Sequence, residues 1–352
     1  MVTMADVARM AGVSTATVSH VLNGTRPVRA RTRELVLSAV AATQYTPNTV
    51  ARSLATARTT TMGLVLSAIS NPYFGELLHA AESAAASAGY TLLLVDPHED
   101  PDYELTVVTR LHHHRVDGVV LAPSAVPDAA LTYLARHEVP TVLLDRLIDA
   151  GHDQVGSENR DATAALTGHL ADHGHTRIGL VAGLAGLATT SERRDGHRDA
   201  LRARDLPVDP DLEVTGASET ATARTATHRL LELDDPPTAI VAGNNSMTIG
   251  VMQALRDAGL SVPRDVAVAS FDDFAWADLF SPRLTVVAQP FHEIAATAVH
   301  MLLARIAEPD APATTRRIPP ELIIRESCGC EPAPAEPSGA RGAAREGPAR
   351  TA

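Results

Sequence analysis

Residues 14–27 read STATVSHVLNGTRP. Ser14, a hydroxyl residue at the head of an amphipathic run, is a helix N-cap: its oxygen takes a hydrogen bond from a backbone N–H that the first turn leaves without a partner. Val18, Val21 and Leu22 follow at i, i+3, i+4 and define one apolar helix face. Asn23-Gly24 stops that helix and Pro27 prevents its continuation. Upstream, Ala11-Gly12-Val13 reads as a tight turn with the glycine at positive φ. Thr3 caps an earlier helix through Asp6, Val7, Ala8 and Met10. Downstream, a third helix is expected from about Ala30 to Ala42, burying Leu35, Val36, Ala39 and Val40. Helix, glycine turn and capped second helix is the helix-turn-helix layout.

Such a layout offers the first side chains of its second helix to the major groove of DNA. Thr15, Ala16 and Thr17 are small, so the helix can approach base edges closely. Threonine and alanine can touch a thymine methyl, and threonine can also hydrogen-bond. His20 lies one turn further on and Arg26 flanks the helix from the loop. Helix-turn-helix patterns also arise by chance in helical proteins, and charge separates the two readings. Residues 1–60 carry seven arginines against Asp6 and Glu34 (+5), whereas the remainder carries 23 arginines against 40 acids (−17). A basic head on an acidic body suits a polyanion partner for the head, with most of the arginines positioned for phosphates.

A chain of 352 residues exceeds one ordinary core. No apolar run is long enough for a transmembrane helix, and Asp6 and Arg9 interrupt any signal-peptide core. A cytoplasmic, nucleoid-associated protein is expected. From Thr61 aliphatic segments alternate with amphipathic helices: MGLVLS (62–67), YTLLLV (90–95), GVVLA (118–122), TVLLD (141–145), RIGLVAG (177–183), TAIVAG (238–243) and VAVASFD (266–272). Near-continuous aliphatic strands separated by helices indicate parallel sheets covered on both faces, and their number calls for two lobes. Residues 331–352 are rich in Pro, Ala, Gly and Glu without periodicity and are expected to be disordered. Cys328-Gly329-Cys330 is poorly spaced for a disulfide, and two thiols alone do not close a zinc site. These cysteines are expected to be reduced and incidental. His112-His113-His114 on one helix point in different directions and read as surface. No metal, cofactor or catalytic residue is expected.

The run MADVARMAGVSTATVSHVLNGTRPV, followed by YTPNTVARSLATARTTTMGLV, closely resembles the LacI/GalR family of bacterial transcription regulators. ISNPYF (69–74), RVDGVVLAP (115–123), HLADHGHTRIGLVAG (169–183), PPTAIVAGNNSMTIG (236–250), VPRDVAVASFDD (262–273) and PPELIIRES (319–327) follow in the family's order. The DNA head is most similar to the purine-repressor branch, which shares histidine at the position of His20. The resemblance implies an α + α/β architecture: a helix-turn-helix domain (1–46), a hinge helix and linker (47–60), and a two-lobed periplasmic-binding-protein-like core with parallel sheets (61–330). The N-lobe is about 61–160 plus 290–320, and the C-lobe about 161–289 plus 321–330. It also implies a homodimer on a near-palindromic operator, with hinge helices paired in the minor groove. Asn48 belongs to that segment, and Leu54 matches the leucine that wedges between base pairs, an unstacking cost offset by added contacts to bent DNA. Arg29-Ala30-Arg31 stands where the family has a capping serine and acidic residues, so the third helix should be weakly capped.

Ligands of open α/β sheets sit outside the carboxyl ends of strands. The polar and aromatic residues there are Asn71, Tyr73, Phe74, Asp145, Arg146, Asn244, Asp272 and Gln289, with Arg193 opening a helix of the second lobe. Carboxylates and guanidinium forks suit vicinal hydroxyls, and rings suit the C–H faces of a sugar. The set resembles the pocket of ribose-type periplasmic binding proteins. Trp276, the single tryptophan, is placed either over the sugar or at a lobe interface, and Arg193 with Asp272 either on the ligand or in a salt bridge. The sequence reads as a repressor whose operator affinity a pentose-like sugar lowers. A corepressor responding to a purine or nucleoside, and a non-exported sugar-binding protein, are the alternatives. An enzyme is not expected.

Overall fold

The computed structural model describes residues 2–24, 26–46, 58–67, 72–274 and 277–330. Asn48, Leu54, Asn71, Trp276, the hinge segment and the C-terminal tail therefore lie outside the described residues, as does the side chain of Tyr73. The chain divides into two compact units at Thr61.

The first unit holds helices α1 (Met4–Ala11), α2 (Thr15–Asn23) and α3 (Ala30–Thr43). Thr3 and Asp6 form a reciprocal capping box at the start of α1, and Gly12 ends it at φ 67. Ser14 caps α2 by accepting from the Thr17 N–H at 3.2 Å, and Gly24 ends it at φ 64. Both glycines adopt the left-handed conformation that side chains disfavour. Arg29 makes no side-chain cap on α3, as its sequence implied. Val7, Ala8, Ala11, Val18, Val36 and Ala39 are the core, with Val21, Leu22 and Val40 packed against it. Leu35 departs from expectation: it is 50% exposed. The buried stripe of α3 runs through 36, 39 and 40, and one residue of helix rotates Leu35 about 100° away from it.

The second unit contains two six-stranded sheets. The first joins β1 (Thr61–Val65), β2 (Thr91–Val95), β3 (Gly118–Leu121), β4 (Thr141–Leu144), β5 (Asp153–Ser157) and β11 (Thr315–Ile318) in the order β11-β5-β4-β3-β1-β2. The second joins β6 (Ile178–Ala182), β7 (Glu213–Thr215), β8 (Ala239–Ala242), β9 (Ala267–Phe271), β10 (Thr285–Ala288) and β12 (Glu321–Ile323) in the order β12-β10-β9-β8-β6-β7. The sheets thus repeat one topology. The recorded pairings are parallel except β10 with β12, which is antiparallel. Helices α4 (Pro72–Ser87), α5 (Pro101–His113), α6 (Asp128–Arg136) and α11 (Phe291–Ala307) accompany the first sheet. Helices α7 (Arg160–Asp172), α8 (Ala188–Arg202), α9 (Thr220–Leu231) and α10 (Asn245–Asp257) accompany the second.

The strands are aliphatic throughout because both faces are covered. In β4, Val142 and Leu144 face one core and Leu143 the other. In β9, Ala267, Ala269 and Phe271 face one core and Val268 the other. Period-two alternation therefore disappears from the sequence while persisting in the structure. The chain passes between sheets three times: after β5, after β10 and after β11. No helix among the described residues is long and apolar enough to cross a membrane.

Candidate functional site

A cavity of about 70 Å³ lies between the carboxyl ends of the two sheets. Phe74, Glu99, Asp145 and Arg146 line it from the first sheet's side. Thr189, Thr190, Arg193, Arg194, Ser218, Asn244 and Asp272 line it from the second, and Gln289 joins them where the chain crosses after β10. Seven expected positions thus converge: Phe74, Asp145, Arg146, Arg193, Asn244, Asp272 and Gln289.

Asp145 and Asp272 occupy equivalent places, each one residue beyond the third strand of its sheet order. Both have positive φ, 67° and 75°, and both are buried. For a side chain with a Cβ this conformation costs of order 1 kcal/mol or more and clusters at functional positions. Burial pushes the Asp272 carboxyl above the ordinary range, opposed by nearby Arg193 and by a Gln289 hydrogen bond, with Asp145 adding to the rise. Gln289 donates its Nε2–H to Asp272 Oδ1 at 2.6 Å.

The arginines are held in place by their surroundings. Arg146 is buried, donates through both terminal nitrogens to Glu99 and gives a further bond to the Pro123 carbonyl at 2.8 Å. Glu99 follows the carboxyl end of β2, where the same strand-end rule would have found it. Arg193 donates to Asn159 Oδ1 at 2.8 Å and to the Gly243 carbonyl at 2.6 Å, with its guanidinium 3.6 Å from the centre of the Phe271 ring. Arg193 and Asp272 feel each other's charge, while Arg193's hydrogen bonds go to Asn159 and Gly243. Arg146 and Arg194 each keep a buried Nε–H without a hydrogen bond, although Asp145 Oδ2 lies 3.9 Å from the first and Glu213 Oε2 3.7 Å from the second.

Asn244 has a double role. It caps α10 by accepting from the Met247 N–H at 2.8 Å, so its carbonyl is occupied and its amide side remains for the cavity. Ser218 accepts from the Leu184 N–H at 3.1 Å. Among the described lining residues Phe74 is the one aromatic. Three acids (Glu99, Asp145, Asp272) face three arginines (146, 193, 194), so the lining carries no net formal charge.

In the head, Thr15, Ala16 and Arg26 are exposed, and Thr17 and His20 half-buried. The Thr17 hydroxyl lies 3.0 Å from Ser14 Oγ, so the cap orients it. Arg29, Arg31 and Arg33 are exposed on the same unit. Elsewhere, His112 lies 2.9 Å from the Tyr133 hydroxyl with the His137 ring tilted beside it at 5.0 Å, so it packs against neighbours, whereas His113 and His114 are exposed as expected. The His112 pKa is lowered by burial and by the neighbouring histidines.

A helix-turn-helix unit joined to two α/β lobes around a polar cleft defines a class: ligand-responsive DNA-binding regulators. The bacterial regulatory proteins of the lacI family match residues 3–48, and a periplasmic binding protein-like domain matches residues 167–328. The HTH-type transcriptional repressor PurR of Aliivibrio salmonicida (strain LFI1238) is 34% identical over 93% of this chain and 99% of its own. The lac repressor dimer bound to operator and the anti-inducer ONPF superposes with a TM-score of 0.84 at 28% identity, over 93% of this chain and 99% of that one. A Burkholderia thailandensis protein assigned as a ribose operon repressor is 34% identical with a TM-score of 0.70, over 76% and 99% of the respective chains. The chain belongs to the LacI family of bacterial regulatory proteins, and it is a DNA-binding transcriptional repressor.

Proposed function

We propose that the cavity binds a neutral, ribose-like sugar and that this ligand lowers operator affinity. The observation that carries the reading is the pair of buried carboxylates, Asp145 and Asp272, one from each lobe, facing a single charge-balanced cavity. Carboxylates accept hydrogen bonds and do not donate them, so they select hydroxyl donors. Arg146 and Arg193 line the same cavity and supply guanidinium donors for ring or hydroxyl oxygens. Phe74 supplies an apolar face. The similarity to the Burkholderia thailandensis protein assigned to a ribose operon agrees with this chemistry.

The second reading is a purine or nucleoside acting as corepressor, which the PurR relatives favour. On either reading the chain acts as a homodimer on a near-palindromic operator. Thr15, Ala16, Thr17, His20 and Arg26 meet the major groove, and Asn48 and Leu54 the minor groove. Asn71, Tyr73, Phe74, Asp145, Arg146, Arg193, Asn244, Asp272 and Gln289 hold the effector, with Trp276 as a cover.

Ligand can shift the protein between two states only by binding one of them better. The test is a thermal-shift screen of pentoses, hexoses, nucleosides and purines on the purified chain, followed by operator titration with each hit. A ligand at a hundred times its Kd stabilises by about 2.7 kcal/mol, well within detection. A pentose that raises the melting temperature and weakens operator binding is the expected result. Stabilisation by purines alone, with tighter operator binding, overturns the sugar reading.

A further inference from the structure

Cys328 and Cys330 looked incidental because their spacing was weighed without the fold. The fold sets them beside two imidazoles from a segment more than 150 residues away. His169 lies on the last turn of α7, and His173 is the residue that caps it. Four residues apart, they share one face of the helix. His169 Nε2 lies 3.2 Å from Cys328 Sγ and 3.4 Å from Cys330 Sγ, and His173 Nε2 lies 3.1 Å from Cys330 Sγ. The donor atoms of His169, Cys328 and Cys330 all fall within 4.8 Å of one another. We propose that His169, His173, Cys328 and Cys330 form a structural Cys2His2 zinc site that fastens the chain after β12 to the end of α7.

Three of the ligands, His169, Cys328 and Cys330, already stand close enough together for a tetrahedral ion, and His173, 3.1 Å from Cys330 Sγ but outside that mutually close set, turns its ring to complete it. With ordinary Zn–S and Zn–N bonds, the nitrogen–sulfur edges of a tetrahedron are about 3.5 Å. The recorded contacts are within a few tenths of that. Gly329 has φ 93°, a left-handed turn that a residue with a Cβ adopts at a cost, and it lets a Cys-X-Cys pair turn both sulfurs toward one point. His173 Nδ1 lies 2.9 Å from the His169 carbonyl. A carbonyl only accepts, so Nδ1 carries the proton and Nε2 presents its lone pair to the sulfurs. This carbonyl–imidazole pairing is the outer support found around metal-bound histidines. The Thr285 hydroxyl donates to Cys328 Sγ at 3.1 Å, a second such support.

The ligand set also balances charge. Two thiolates and two neutral imidazoles around a divalent ion leave no net charge, which matters because Cys328 is 1% exposed and packs with Leu166, Leu170 and Ile178. Two sulfurs and two nitrogens in a tetrahedron select zinc over calcium or magnesium, which take oxygen. The site sits at the opposite end of the second sheet from the cavity, since α7 leads into the start of β6 whereas the cavity opens at the strand ends. Its occupancy is therefore separable from effector binding.

The full chain, reduced and freed of metal, is titrated with Zn2+ against a chromophoric chelator, and with Co2+ as a spectroscopic probe. The chain is expected to take one zinc, to gain melting temperature with it, and to show the thiolate charge-transfer and ligand-field bands of tetrahedral cobalt. Cys330→Ser and His173→Asn change the two more accessible ligands, and the melting of each metal-free variant reports that it folds. Each is expected to lose affinity roughly tenfold or more, with loss of the cobalt bands in proportion. Substoichiometric uptake by the unmodified chain, an octahedral cobalt spectrum, or unchanged affinity in both variants overturns the site.

Discussion

At the scale of single residues, two buried groups define measurable behaviour. Asp272 is held by Gln289 and sits in the field of Arg193. Asp272→Asn keeps the shape and removes the charge, so charge-assisted bonds to a hydroxyl ligand weaken by about 1.5–3 kcal/mol, or roughly ten- to a hundredfold in Kd. Effector titration by calorimetry checks this, and operator affinity without ligand should not change. His197 is 1% exposed, and burial lowers its pKa to about 4. Above the unfolded value of 6.5 the imidazole is neutral in both states and costs nothing. As pH falls from 6.5 toward 4 the unfolded chain takes up the proton first, so stability is lost across that window. At about 1.4 kcal/mol per pKa unit the loss approaches roughly 3 kcal/mol. Urea midpoints of the wild type should fall steeply over this interval, and those of His197→Gln more gently.

At the scale of elements, two glycines separate backbone conformation from space. Gly12 ends α1 at φ 67 with nothing within 4 Å of a built Cβ. Gly12→Ala therefore costs conformational strain alone, about 1 kcal/mol. Gly196 of α8 has no positive φ, but a Cβ there would stand 2.0 Å from the Arg160 carbonyl at the start of α7. Gly196→Ala forces two packed helices apart and should cost about 3 kcal/mol, the upper range of overpacking. Denaturant unfolding that finds the two costs equal, or reversed, refutes this account. The caps of α1 and α2 were legible in the sequence because Thr3, Ser14 and Gly12 act on neighbours within a few residues. The short strands β5, β7 and β11 were not, because DQVGS, EVT and TRRI carry one apolar residue each and do not stand out from loops. Pairing with a neighbouring strand makes them strands.

At the scale of the whole molecule, the division at Thr61 separates a basic unit from an acidic one. Deleting residues 1–58 should abolish operator binding and leave cooperative unfolding and effector binding intact, as gel shift and thermal shift will report. Operator affinity of the full chain should fall steeply with salt, by roughly a thousandfold between 50 and 200 mM if a dimer engages six or more phosphates. Arg31→Ala, exposed on α3, should lower the salt slope by about one per head without changing base preference.

The sequence by itself determined the helix-turn-helix head, the two-lobed α/β body and seven residues that reach the cavity. Those features rest on interactions within a few residues or on the strand-end rule that parallel sheets obey. Only the tertiary structure decided that Leu35 faces outward, that Glu99 neutralises Arg146, that Arg193 binds Asn159 and Gly243, and that two cysteines meet two histidines. Each of these depends on which distant segments fold against one another. Such proximity follows from packing of whole sheets and helices, and no local pattern encodes it.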